Sequence, residues 1–486
     1  MPGSKRSRPL LGSLLLTAAL ALAVTPPNVS AAALPSLGDA TGAGAGDEYR
    51  LGRAWLREFR GHVNQWRDPI TGDYIDSLVS RLVPESQLGE VKPLVTLVAS
   101  RSLNAFAVPG GVIGINTGLF LYAPDQDAFA SVIAHELGHL SQHHFAREMA
   151  RSERSQLPTM AAMLAGMVIA AGSGGASLGM ATVAGTQAAT LQSRLSYSRR
   201  YEQEADRVGL RAMARSGFDP MAMPRMFATL QQLASMQGDT PPEFLLSHPV
   251  SQSRLSDTTS LAQQYAGGKV TASGPEYDMI RARVMLAMDM RDPQAVRSRL
   301  QQDDADPLAL DYLSALTASV EDDHERALAA FDRLAERLPG SLIVSASAAD
   351  AALDANRREE AIHRSDRILR LTPGYYPARM IRAEALLSVD PTRAFRELRE
   401  LAGAYPEHPD VWNLLAEAAG RSDQNAWGYL ALSERDQLEG DIEGALAKLD
   451  QAESEANRRD DQALTERIRD RREAYQTYQK TLERLR

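Results

Sequence analysis

Residues 135–139 read His-Glu-Leu-Gly-His. On a helix, positions i and i+4 share a face, so His135 and His139 can offer two imidazoles to one metal ion, with Glu136 beside them to hold an attacking water. Phe129, Val132, Ile133, Leu137 and Leu140 make the same stretch a buried helix, where two unpaired imidazoles would be costly without a purpose. Sixty-three residues after His139, the run Tyr201-Glu202-Gln203-Glu204-Ala205-Asp206 offers a third ligand, and Glu202 and Asp206 are again four apart. Two His and one Glu, with the fourth position left to water, is the pattern of catalytic zinc; a structural site closes all four positions. The expected chemistry is hydrolytic. Zinc lowers the pKa of a bound water, and Glu136 takes the proton and passes it to the leaving amine of a cleaved peptide.

Composition agrees with this set of donors. The chain has no cysteine, so disulfides are absent and zinc must be held by His and carboxylate. With 62 acidic against 53 basic residues the net charge is −9, which argues against nucleic acid as the main partner. At 486 residues the chain is too long for one core, and two or three domains are expected.

The elements that must position the site follow from periodicity. Lys5, Arg6 and Arg8 precede an apolar stretch from Leu10 to Val24 and the small residues Ser30-Ala31-Ala32-Ala33. That is the form of a secretory signal peptide (residues 1–33), since about 15 apolar residues fall short of the ~20 needed to span a bilayer. A Gly/Ala/Pro linker covers 34–46. Helices are expected around Tyr49–Phe59 and Ile75–Leu82, strands at Leu94–Val98, Asn104–Val108 and Val112–Asn116, and a turn at Pro109-Gly110-Gly111. The His135 helix is expected to start at Asp125 or Asp127 and run to about Ala150, and another is expected over about Arg194–Arg215, closed by Gly217. Residues 157–190 carry no charge. They read as core helices or as a segment making peripheral contact with a membrane or a partner.

From about residue 277 the texture becomes helix after helix. Pro307, Pro339, Pro373 and Pro406 recur at helix ends, and Ala327, Ala361 and Ala394 repeat in step. A period near 34 with Ala at the helix crossing is the tetratricopeptide signature, and such hairpins stack into a solenoid with a concave binding surface. The expected fold is therefore an α+β, zincin-type metallopeptidase domain at 47–270, mostly helical with a small sheet. An all-α tetratricopeptide solenoid follows at 277–486.

The run Asn104-Ala-Phe-Ala-Val-Pro-Gly-Gly111, then His135–His139, then Glu202 with Ala205-Asp206, resembles zinc metallopeptidases of the CAAX-prenyl-protease and HtpX type. With a signal peptide in front and repeats behind, the resemblance is strongest to the periplasmic β-barrel assembly-enhancing group. It implies His135, His139 and Glu202 as zinc ligands, Glu136 as the catalytic carboxylate and Asp206 as a supporting or proton-donating group. It also draws attention to His248 in Ser247-His248-Pro249, in a loop free to move, as a fourth ligand or oxyanion group; Arg254 is a further oxyanion candidate. His143 and His144 read as the polar end of the catalytic helix.

The strand Val112-Ile113-Gly114-Ile115-Asn116 is a candidate edge to which an extended substrate adds. A folded chain cannot add in that way, so the expected substrates are unfolded or misassembled envelope polypeptides, cut in quality control of outer-membrane β-barrel assembly. The repeats would bind the assembly machinery or other proteins in the periplasm. The alternative is a chaperone-like tetratricopeptide scaffold with little or latent proteolysis.

Overall fold

The computed structural model describes residues 45–151, 199–237, 242–265, 267–268, 270–271 and 273–483. The expected signal peptide, nearly all of the linker and the uncharged 157–190 segment lie outside the described residues.

Helix α1 (Ala45–His62) and helix α2 (Pro69–Leu82) precede the sheet. Asp68 caps α2 through the amide of Thr71, and Pro69 supplies a preset first turn. Strands β1 (Leu94–Val98), β2 (Ala105–Val108) and β3 (Val112–Asn116) form one sheet in the order β1-β3-β2. The tight turn at Gly110 and Gly111, with φ of 78° and 80°, makes β2 and β3 an antiparallel hairpin. β1 pairs with β3 in parallel on the other side.

This order corrects the expectation for Val112–Asn116. With β1 on one flank and β2 on the other, β3 is the central strand, its five residues are all buried, and it has no edge to offer a substrate. The outer strands are β1 and β2. The outer side of β1 is bridged by residues 64–66, with the Trp66 amide donating to the Leu97 carbonyl. β2 lies against the helix that carries His135.

After the short helix α3 (Leu119–Tyr122), helix α4 (Gln126–Ser141) starts on Asp125, whose side chain accepts from the Ala128 amide. Every residue from Ala128 to His139 is buried. The helix stops at Ser141. His143 takes a left-handed φ of 49°, and a new helix α5 (His144–Arg151) departs in another direction, so the single helix expected through Ala150 is two.

Helix α6 (Arg199–Arg215) packs along α4. Glycines set how closely they pack. A Cβ on Gly138 would sit 2.7 Å from the Ala205 carbonyl oxygen, and one on Gly209 would sit 2.9 Å from that of Ala134. Any larger residue at these points would push the helices, and the side chains they carry, apart. Helix α7 (Ala222–Gln237), the short α8 (Glu243–Ser247) and helix α9 (Gln252–Tyr265) close around this pair.

Helix α10 (Glu276–Met288) continues the same core: the Tyr277 hydroxyl donates to the Ala123 carbonyl, and Arg281 donates to that of Phe120. The C-terminal region is helical throughout its described residues, in neighbouring pairs such as Pro307–Val320 with His324–Arg337 and Leu342–Asp354 with Arg358–Leu371. Ala327, Ala361 and Ala394 each take the fourth position of the second helix of a pair and are fully buried. No described helix is long and apolar enough to cross a membrane.

Candidate metal centre

The α4–α6 crossing brings four side chains to one point. His135 and His139 come from α4, Glu202 from the first turn of α6, and His248 from the residue after α8. One ligand atom from each lies within 4.8 Å of all the others, and all four residues are buried. The ring nitrogens His135 Nε2 and His139 Nε2 are 3.0 Å apart. Glu202 oxygens lie 3.5 Å from His135 Nε2 and 3.4 Å from His139 Nε2. His248 Nδ1 is 3.1 Å from Glu202 Oε1 and 3.3 Å from His135 Nε2. A tetrahedral zinc ion with bonds of 2.0–2.1 Å separates its ligands by about 3.3 Å. The donors and their spacing fit that ion, and no other described group of His and carboxylates converges in this way.

Glu136 adds a second sign of fit. It is fully buried, and neither carboxylate oxygen has a hydrogen-bond partner among the described residues. A buried carboxyl in that condition is costly unless something polar, such as a water on a metal, meets it. Burial raises its pKa, with His248 and His135 opposing.

Behind the cluster, His135 Nδ1 donates to Asp206 Oδ1 at 2.9 Å, which leaves Nε2 with its lone pair facing the other donors. Arg254, on α9, donates from Nε and Nη2 to Asp206 at 2.8 and 2.7 Å, donates from Nη1 to the Pro249 carbonyl, and lies 2.8 Å from Glu202 Oε2. Its guanidinium is therefore spent on holding carboxylates, and the expectation that it reaches an oxyanion is corrected.

Electrostatics among the donors are uneven. Burial opposes the charge on His135, but Asp206 and Glu202 hold it up at about 9. Burial takes His139 down to about 3. Glu202 is pushed up by burial but drawn well below the usual carboxylate range by His248 and by hydrogen bonds from the three imidazoles. The Glu202 carboxylate thus faces the ring nitrogens of three imidazoles, a donor set that binds a cation once their protons are displaced.

Two sequence expectations change here. His248 is not on a free loop: it caps α8, its amide donates to the Phe244 carbonyl, its ring stacks on Phe244 at 4.7 Å, and it is 2% exposed. His144 is not a solvated helix end either. It is fully buried and stacks on Tyr201, with its ring 3.0 Å from His139 Nδ1 and 3.2 Å from Glu204. His143 does face solvent, 3.3 Å from Glu48.

A zinc site of this kind, on two crossed helices beside a small sheet, defines a metallopeptidase, and the comparisons with known proteins agree. Residues 69–262 match peptidase family M48. The chain is 33% identical to the beta-barrel assembly-enhancing protease of Escherichia coli K12 over 87% of its length and 86% of that protein. For the protein of the same name from Yersinia pestis the identity is 31%, over 91% and 92%. The mitochondrial metalloendopeptidase OMA1 of Schizosaccharomyces pombe is 26% identical over 37% of this chain and 50% of that one. The chain belongs to peptidase family M48 and, within it, to the beta-barrel assembly-enhancing proteases. It is a zinc-dependent metalloprotease.

Proposed function

We propose that this chain is an exported endopeptidase that cuts unfolded or misassembled polypeptides during outer-membrane β-barrel assembly, with Glu136 as its base. The observation that carries this reading is the buried Glu136 carboxylate, without a hydrogen-bond partner among the described residues and 3.7 Å from His248 Nε2, beside four convergent metal donors. The names of the relatives that match most of the chain supply the assembly context.

When bound, zinc would acidify a water and polarise the scissile carbonyl. The chain's own residues do the rest. Glu136 takes a proton from the attacking water and returns it to the leaving amine; burial raises its proton affinity, the direction that task needs. His135, His139 and Glu202 hold the metal, and Asp206 fixes the His135 ring. An extended substrate would lie along β2, the outer strand next to α4, in place of the central strand first expected. The paired C-terminal helices, with their evenly placed buried alanines, would act as tetratricopeptide repeats that bind partners. A periplasmic location follows from the basic, apolar, small-residue start of the sequence.

The direct test pairs zinc content with casein cleavage. Glu136→Gln should keep about one zinc per chain and abolish cleavage, whereas His135→Ala should lose both. Metal-free Glu136→Gln protein would mean that the carboxylates are misassigned.

A second reading, latent proteolysis, is favoured by one observation: the His248 ring lies inside the donor cluster. As a neutral imidazole it would close the fourth position and exclude water until a partner withdraws it. His248→Ala should then raise casein cleavage. A loss of order 10²-fold would make it an oxyanion donor, and an unchanged rate an ordinary buried histidine.

A further inference from the structure

Each helical imidazole of the cluster is backed by a chain of partners that ends on an arginine. For His135 the chain is short: Asp206 accepts from Nδ1, and Arg254 grips Asp206. For His139 it is longer. His139 Nδ1 lies 3.0 Å from His144 Nδ1, His144 Nε2 lies 3.2 Å from Glu204 Oε2, and Arg147 donates to the same oxygen at 2.9 Å. Glu202, Glu204 and Asp206 all come from the first two turns of α6. One helix therefore supplies both a metal donor and the carboxylates that the arginines grip in both chains.

Proton bookkeeping fixes the tautomers. His139 Nε2 faces His135 Nε2 and Glu202, so as a metal donor it must present a lone pair there. Its proton then sits on Nδ1, 3.0 Å from His144 Nδ1, and is donated there. His144 must accept at Nδ1, so its own proton sits on Nε2 and is donated to the Glu204 carboxylate. All three bonds are satisfied in one arrangement, and reversing any of them places two protons or two lone pairs face to face. The break in the helix at His143, with its φ of 49°, makes this possible. On a continuous helix a residue five positions beyond His139 would point about 140° away from it.

We propose that His144 is a positioning residue for the metal: it locks the His139 tautomer and ring, and it relays the charge of Glu204 to that ligand as Asp206 does directly for His135. This rests on the zinc-peptidase reading above. It extends the site by His144, Glu204 and Arg147, and it gives the Glu204 carboxylate a reason to be where it is. Partners of this kind typically change metal affinity about 10–100-fold when removed.

The test is zinc affinity, measured by competition with a chromogenic chelator on purified full-length variants, with the melting temperature of the metal-free proteins taken alongside. His144→Phe keeps the ring and its stack on Tyr201 but removes the acceptor. His144→Asn places an amide oxygen near the position of Nδ1 and loses the stack. Positioning predicts a roughly 10–100-fold weaker zinc affinity for His144→Phe, a recovery to within a few-fold of wild type for His144→Asn, and a smaller loss for Glu204→Gln. The order inverts if His144 only fills space: wild-type affinity in His144→Phe, or no change in Glu204→Gln, overturns the proposal. Failure of the wild type itself to bind zinc would instead sink the zinc-peptidase reading, so the two failures are distinct.

Discussion

Two groups of buried arginines in this molecule meet opposite surroundings. Behind the metal cluster, Arg254 is 2% exposed and sits between two carboxylates, Asp206 and Glu202. At the junction of α1 with the helices Asn425–Leu438 and Gln462–Glu483, three arginines share one carboxylate. Arg53, Arg57 and Arg60 are 5%, 1% and 6% exposed. Glu407 lies 4.0 Å from Arg53 and 3.5 Å from Arg57, and its backbone carbonyl accepts from Arg60. Among the described residues Arg53 Nε and Nη1 and Arg60 Nε have no hydrogen-bond partner, and burial together with Arg57 and Arg53 takes Arg60 down to about 10 despite Glu407.

A buried ion pair contributes when it is balanced and fully bonded; an uncompensated buried charge costs free energy. The region around Arg254 is therefore built to stay fixed, which a metal site requires to hold its donors in place. The α1 junction gathers three buried guanidiniums around Glu407, with Asp410 a further acid acting on Arg60, and so holds more positive than negative charge. It holds through apolar packing and through bonds such as Arg57 Nε to Gln437, and against its own electrostatics.

That contrast can be broken by substitution, and the expected effects differ in sign as well as size. Arg254→Gln leaves Asp206 and Glu202 buried without their cation. It should cost about 3–5 kcal/mol in urea unfolding of the metal-free protein, with proteolysis lost as His135 and Glu202 drift. Glu407→Ala removes the acid that the three arginines share and should cost less, about 1–3 kcal/mol, because that carboxylate is 21% exposed. Arg53→Met keeps an apolar stem and removes one surplus charge, so it should be neutral or stabilising by up to about 1 kcal/mol. A strong destabilisation by Arg53→Met would mean that the junction is not overcharged.

The sequence makes some of this architecture legible and hides the rest for physical reasons. The i, i+4 pairs His135/His139 and Glu202/Asp206 lie on helices, where spacing alone sets which face they share. Asp125 as the cap of α4 is equally local. His144 was not legible: its place depends on the single left-handed residue His143, which nothing in the spacing requires. The rank of β3 was not legible either, since a hairpin shows that β2 and β3 pair but not on which side the parallel β1 docks. Gly138 and Gly209 carried a signal that was available, two glycines inside otherwise strong helices, and the structure shows why they are there.

The central proposal is that His135, His139 and Glu202 hold a zinc ion with Glu136 beside it. X-ray absorption at the zinc edge counts imidazole ligands directly, in wild type and in His248→Ala. The account predicts one zinc per chain in both, with at least two imidazoles on the metal; a third imidazole in the wild type that is lost in His248→Ala assigns the fourth position to His248 and favours the latent reading. No bound zinc in the wild type, or zinc without the two helical imidazoles, would contradict it.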